Sequence, residues 1–444
     1  MLSAFKNIFK IKELKSKILY TLAMIAVVRL IQNIPVPGID LDMLDRAMKD
    51  LENSAGGGLL QMFNVFSGGA LQNFAIGVLG IMPYITASII LQLMTPVIPQ
   101  IEKMQKEGVQ GRQRYIQLTR YITIVICLVQ GFFLAKGMPT LLQSKHAIVN
   151  NPGMSFYITT TILLTAASLL IMWLGEQITD KGLGQGASII ITISVISSMP
   201  TAIQQVYGYW QDGDLTIIGV AILLSVFLAV TAATVVVVQG VRKIPLKYAK
   251  RTTGSRGAIE KTSYMPLKVN HAGVMPIIFA SALMMFPEMA ANYFQLDTLS
   301  ALLRFGSIGY MVVYSVMVIV FTFFWVATQF NPIQISDDLN RSGGFIPGIR
   351  PGEKTAEFLN ATMTRITYAG SVFLTALAIM PIILYANIDI LQGNFMITSF
   401  FGGTSLLIMV GVMLQTMQQI EVQLVQHNYE GFVSSGRLRS RSTL

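Results

Sequence analysis

Side chains able to do covalent or metal chemistry are few in this 444-residue chain, and they stand apart. His146, His271 and His427 share no ligand spacing, and the single Cys127 can form neither an intramolecular disulfide nor a multi-cysteine metal centre. No nucleophile–base pair is evident and no Walker motif is present, so any ATP must be hydrolysed by a partner. These absences argue against an enzyme, a cofactor or a resident metal. Arg29 lies toward the outer end of one apolar run and Glu176 and Arg365 at the ends of two others, positions from which side chains snorkel to the interface. One run does have a functional shape: Gly56-Gly57-Gly58-Leu59-Leu60-Gln61-Met62-Phe63-Asn64-Val65-Phe66-Ser67-Gly68-Gly69, too short to cross a bilayer. Composition alone makes it a surface re-entrant turn. The functional reading is a movable stopper within about residues 56–70, with glycine hinges around Leu59, Leu60, Met62, Phe63, Val65 and Phe66.

The elements that must position such a segment are membrane spans. Hydrophobic residues make up 53% and charged residues 12%, against about 25% charged in soluble domains. That leaves too little charge to solvate a surface. Windows of roughly 20 apolar residues predict ten helices, at 18–35, 71–98, 116–135, 155–175, 186–206, 215–239, 271–290, 306–330, 365–386 and 400–422. Such long runs exclude a β-barrel, whose strands alternate in polarity. Met1–Tyr20 reads as a retained, lysine-rich interfacial helix. Of 32 Lys and Arg, 26 fall on the side of the two termini and 6 on the other, which places both termini in the cytoplasm and accounts for most of the +10 net charge. Localisation follows as a multi-pass protein of the inner or plasma membrane. Five spans per half, 1–209 and 210–444, would relate the halves by inversion, an arrangement suited to conduction.

Several motifs together carry a resemblance. Span 2 contains Leu79-Gly80-Ile81-Met82-Pro83-Tyr84-Ile85-Thr86-Ala87-Ser88-Ile89-Ile90-Leu91-Gln92, and the 8–9 loop ends in Gly344-Phe345-Ile346-Pro347-Gly348-Ile349-Arg350-Pro351-Gly352. With Tyr248-Ala249-Lys250-Arg251, Pro266-Leu267-Lys268-Val269-Asn270 and Gly402-Gly403-Thr404-Ser405, nearly the whole chain resembles the SecY family, channel subunits of the bacterial Sec protein translocon.

The resemblance implies an all-α polytopic fold. Two inverted five-helix halves would surround an hourglass pore, with an aliphatic waist and an external plug helix. Carried over by motif, the waist would be Ile81, Ile85, Ala187, Ile191, Ile278 and Ile408. The i,i+4 spacing of 81/85 and 187/191 puts each pair on one helix face, and a narrow apolar constriction dewets and resists ions. By residue type alone these aliphatics are ordinary packing. Ala187 departs from the larger aliphatic common there, and Gln185 stands where Asn is usual, so the waist would be looser and depend more on the plug. A lateral gate between spans 2–3 and 7–8 would involve Pro83, Thr86, Ser88, Gln92, Asn270 and Pro276. Pro83 and Pro276 can kink their spans, and the polar residues would seek partners across helices. Interhelical packing elsewhere explains them equally well.

The basic cytoplasmic loops, about 241–269 and 331–362, attract anionic lipids. By resemblance they dock SecA or ribosomal RNA through Lys250, Arg251, Arg256 and Arg350. The implied partners are SecE and SecG, SecA, the ribosome and preprotein signal sequences, with YidC and SecD/SecF as further associates. The function expected is passive passage of unfolded preproteins and lateral release of apolar segments into lipid. Two other classes compete: a ten-span secondary solute transporter, which should carry a mid-membrane ionisable site, and a poreless scaffold or insertase subunit, which leaves the glycine-bounded run unexplained.

Overall fold

The computed structural model describes residues 11–52, 64–142, 149, 153–213, 215–248, 263–293, 296–303, 306–387, 397–398 and 404–435. By contacts the chain divides into two compact units, Met1–Gln204 with Val412–Leu444, and Gln205–Gly411.

The first unit begins with α1 (Lys12–Asn33). The segment read as an interfacial helix and span 1 are continuous from Lys12, where one helix runs through both. Residues 1–10 lie outside the described residues. The Asp40 carboxylate accepts from the N–H groups of Asp42 and Met43 (3.0 and 3.2 Å), capping α2 (Leu41–Glu52).

Span 2 differs from the continuous 71–98 helix expected. Only α3 (Met82–Met94) is a regular helix, preceded by turns in which Phe74 and Gly80 adopt φ of 41° and 55°. Gly68, Gly69, Gly77 and Gly80 weaken helix propensity here, and Pro83, with no N–H, is best accommodated at a helix start. The turns are packed: Leu71, Phe74, Ala75, Val78 and Leu79 are buried with Val36, Leu44 and Leu164. After Pro96 comes α4 (Pro99–Lys106), bent 107° from α3. The unit continues with α5 (Gly108–Leu142), α6 (Met154–Lys181) and α7 (Gly186–Ser197). A break at Ser198, just before Pro200, separates α7 from α8 (Met199–Gln211), whose residues from Gln205 onward belong to the second unit. α6 packs on α1, α5 and α7 and is the unit's centre.

The second unit contains α9 (Ile217–Gln239), then β1 (Val241–Tyr248) and β2 (Ser263–Lys268). Next come α10 (Met275–Tyr293), α11 (Asp297–Leu303), α12 (Ile308–Gln329) and α13 (Pro332–Arg341). The chain closes with β3 (Gly344–Phe345), α14 (Glu353–Asn387) and α15 (Thr404–Ser435), the last from Val412 onward belonging to the first unit. α12 packs against α10 and α14 around Ile277, Met284, Tyr310, Tyr314, Val318, Leu374 and Leu407. The Ser307 hydroxyl caps α12 by accepting the Tyr310 N–H at 3.0 Å.

The small antiparallel sheet, in order β2-β1-β3, was not expected of an all-α chain. Its pleat is nonetheless regular: Ile244 and Leu246 are buried while Arg242, Lys243 and Lys247 are exposed. Pairing of Lys247 with Phe345 and Tyr248 with Gly344 joins the 6–7 loop to the 8–9 loop.

Among the described residues, seven helices are long and apolar enough to cross a membrane, with an eighth if α3 and α4 form one bent span. The seven fall on predicted spans 3–6 and 8–10. α1 and α10 fall on predicted spans 1 and 7.

Candidate functional site

Four aliphatics named from the sequence lie in the first unit. Ile81 is the N-cap of α3 and is buried, as is Ile85 one turn later, whose N–H donates to the Ile81 carbonyl (3.2 Å). Two neighbours fix this turn. Gly80 supplies the positive φ, and the buried Ser168 hydroxyl of α6 donates to the Gly80 carbonyl at 3.1 Å. Ala187 and Ile191 sit on α7, the first half-buried and the second buried. The α6–α7 contact brings the two helical sets together at Gly175. A Cβ built there would lie 3.1 Å from Ile81 Cδ1 and 3.7 Å from the Ala187 nitrogen.

That contact is made by glycines. A Cβ on Gly186 would fall 1.9 Å from the Gly175 carbonyl oxygen, so the backbones meet with no side chain between them. The Gly186 N–H also donates to Thr179 Oγ1 at 2.9 Å. Gly184, with φ 77°, turns the chain from α6 into α7. Sequence reasoning noted Gly184-Gln185-Gly186 only for its Gln. Two glycines flanking a turn between apolar runs were the available signal.

Ile278 and Ile408 lie in the second unit and are buried. The Ile278 carbonyl accepts from the Ser281 hydroxyl at 2.9 Å, and a Cβ on Gly411 of α15 would lie 3.7 Å from Cγ2 of Val274, the residue before α10.

Of the glycine-bounded run, Leu59, Leu60, Met62 and Phe63 lie outside the described residues. Residues 64–67 form a helical turn in which Val65 is buried and Phe66 half-buried. Its end is a Schellman cap: Gly69 N–H donates to the Asn64 carbonyl (2.9 Å) and Gly68 N–H to the Val65 carbonyl (3.2 Å), with Gly68 at φ 73°.

Three residues assigned to the gate, Pro83, Pro276 and Thr86, behave differently from expectation. Pro83 and Pro276 each stand in the first turn of a helix, α3 and α10, where the missing N–H costs nothing, so neither kinks a span. The Thr86 hydroxyl donates to the Met82 carbonyl of its own helix (3.0 Å) rather than across helices. Ser88 and Gln92 are half-buried. Asn270 is buried, with no donor reaching its Oδ1.

Arg350 is exposed on a turn held from both flanks. Its carbonyl accepts from Thr355 Oγ1 (2.9 Å), and the Gly352 carbonyl accepts from Ser336 Oγ of α13 (2.6 Å). It borders a cavity of about 360 Å³ with Lys354, Glu357 and Phe358. Lys250, Arg251 and Arg256 lie outside the described residues.

Two of the three charged residues read from sequence as snorkelling, Arg29 and Glu176, are engaged within the first unit. Arg120 of α5 makes a two-pronged contact with Glu176 of α6 at 3.1 and 2.6 Å. Arg29 of α1 donates to the carbonyls of Gly68 (3.1 Å) and Ile193, and to Gln32 Oε1 (3.0 Å). The buried Gln32 in turn donates to Ser194 Oγ at 3.3 Å. A cation within an apolar run, followed at i+3 by an amide, was the signal for this network.

No group of three or more His, Cys, Asp or Glu able to hold a metal occurs among the described residues. The SecY family model matches residues 75–417. The chain belongs to the SecY family. It is 38% identical to the protein translocase subunit SecY of Chlamydia trachomatis, across 99% of this chain and 100% of that relative. Its fold is similar to a solved protein-conducting channel (TM-score 0.62, 18% identity, 92% of each chain). It is also similar to a SecY structure whose plug domain stabilizes the closed state of the translocation channel and maintains a membrane seal (TM-score 0.60, 18% identity, 92% of each chain). The fold is thus that of a SecY-type helical membrane protein, and the solute-transporter reading is set aside.

Proposed function

We propose that the chain is the central channel subunit of a bacterial Sec protein translocase. It passes unfolded preproteins across the membrane and releases apolar segments sideways into lipid. The observation that carries this reading is the alignment with a translocase subunit over 99% of this chain and all of the relative. The chain does no covalent chemistry; SecA, the membrane potential or the ribosome supplies the work. It resides in the plasma membrane with both termini cytoplasmic, a placement supported by the 26 to 6 partition of basic residues.

Within this reading the halves 1–209 and 210–444 supply opposed parts of an hourglass. Ile81, Ile85, Ala187, Ile191, Ile278 and Ile408 form its waist. These are buried or half-buried aliphatics, which seal against ions without gripping any particular side chain. Residues 56–70 form the plug. Pro83, Thr86, Ser88, Gln92, Asn270 and Pro276 belong to the lateral gate, Asn270 with a buried acceptor that lacks a donor. Lys250, Arg251, Arg256 and Arg350 dock SecA and ribosomal RNA, the last from a stiff exposed turn. SecE and SecG complete the channel, with YidC and SecD/SecF as associates, and the basic loops attract anionic lipid.

Photo-crosslinkers at Ile85 and Ile408 test the path. Each should capture a stalled preprotein in transit, whereas a crosslinker at exposed Ile222 of α9 should not. Equal capture at all three positions would overturn the assignment of the waist.

A further inference from the structure

We propose that Arg29 is the latch that holds the plug's C-terminal hinge in the resting channel. The inference rests on the channel reading above and deepens it by naming the residue that sets how tightly the pore is kept shut.

Three features make the network more than a packing contact. First, one planar guanidinium bridges two backbones from different elements. It donates to the carbonyl of Gly68, directly after the helical turn 64–67, and to the carbonyl of Ile193 near the C-terminal end of α7. A forked donor set suits such a bridge, and a helix C-terminus favours a cation. Second, the site is shaped around the arginine. A Cβ on Gly68 would lie 2.7 Å from Arg29 Nη1 and 3.1 Å from Ser194 Cβ, so a methyl here would displace the guanidinium, and the left-handed backbone itself favours glycine. Third, the arginine is itself held. Gln32, one helical turn on and buried, accepts from Nη1 and donates to Ser194 Oγ, fixing the fork against α7.

The energetics favour a releasable tie over a permanent one. All three acceptors are neutral, so Arg29 gains charge-assisted hydrogen bonds here without forming an ion pair with them. Only the Gly68 bond connects to the glycine-bounded run. If the plug moves, that bond breaks, while the Ile193 and Gln32 bonds keep the side chain oriented for its return. The Schellman cap at Gly68–Gly69 has its own backbone bonds and does not depend on Arg29, so the turn can leave as a unit.

The test uses the full chain assembled with SecE and SecG in proteoliposomes. Two quantities are read for wild type, Arg29→Gln, Arg29→Lys and Gly68→Ala: resting ion leak, and SecA-driven uptake of a preprotein lacking its signal. A charge-assisted hydrogen bond lost from the closed state alone raises the open fraction by about tenfold or more. The proposal therefore expects Arg29→Gln to raise both leak and signal-independent uptake by about that factor. Arg29→Lys should recover part of the effect, since an ammonium reaches one carbonyl but not both. Gly68→Ala, which keeps the arginine and displaces its partner, should act in the same direction as Arg29→Gln. Mere loss of packing would lower uptake of every preprotein and would not admit one without a signal.

An assembled Arg29→Gln channel as tight and as selective as wild type would overturn the latch and leave the channel reading standing. If Arg29→Gln fails to assemble, a tight and selective Gly68→Ala channel overturns it in the same way. A wild-type complex that takes up no signal-bearing preprotein would instead overturn the channel reading.

Discussion

Gly186→Ala should be strongly damaging to the first unit, and Gly175→Ala, its partner across the same contact, should be mild. The new Cβ at 186 would lie 1.9 Å from the Gly175 carbonyl oxygen and 2.7 Å from its carbon, both backbone atoms that cannot rotate away. Restoring a normal contact requires α6 and α7 to separate by on the order of 1 Å in a close-packed interior. That separation also stretches the Thr179–Gly186 hydrogen bond of 2.9 Å. Overpacking costs about 1–3 kcal/mol and the hydrogen bond about 1 kcal/mol. Together they set an expected loss of about 3 kcal/mol. A Cβ at 175 meets instead the tips of Ile81 and Ile190 at 3.1 and 3.3 Å, which can change rotamer; less than about 1 kcal/mol is expected. Gly186 is not among the residues with positive φ, so strain in its own backbone does not contribute. Unfolding of the purified complex in detergent, followed by tryptophan fluorescence against denaturant, measures the difference, and resting leak should rise with it because Ala187 and Ile191 ride on α7. Equal midpoints for the two variants would refute the argument that backbone contact sets this helix pair.

Three further outcomes are expected. Ile85→Asn or Ile408→Asn, each placing an amide at a buried aliphatic position, should increase ion leak or admit preproteins with defective signals in reconstituted uptake; no change in either would count against the waist. A double-mutant cycle of Arg120→Ala and Glu176→Gln should show a coupling of about 1 kcal/mol, in keeping with a two-pronged pair in which Arg120 remains 46% exposed. Arg350→Glu should reduce SecA-driven uptake while leaving membrane insertion and the unfolding midpoint unchanged, because the side chain is exposed and the turn is held by its backbone; a matching loss of stability would make Arg350 structural.

The spans were legible because lipid imposes a length and an apolarity that a window can count: α12 lies within the predicted 306–330, and the predicted 365–386 lies within α14. Span 2 was misjudged for a physical reason. The window registers Leu71, Phe74, Val78 and Leu79 as apolar, but it does not register that Gly77 among them and Gly68, Gly69 and Gly80 around them favour packed turns, which bury the same side chains without a helix. Pro83 and Pro276 were read as kinks since a scan places them inside apolar runs, although a helix can begin at either. The sheet escaped notice because a charge count sees Arg242, Lys243 and Lys247, while the alternating burial of Ile244 and Leu246 carries the strand signal. Arg29 was assigned to the interface by its type. Its partners, the carbonyls of Gly68 and Ile193, are backbone groups distant in sequence, which no pattern of side chains announces.

The central claim is that this chain conducts polypeptide, and the most direct measurement is SecA- and ATP-dependent uptake of a preprotein into proteoliposomes holding the chain with SecE. The account predicts a protease-protected product that disappears when the preprotein lacks its signal. Absence of protected product from folded, correctly inserted complex with active SecA would contradict it.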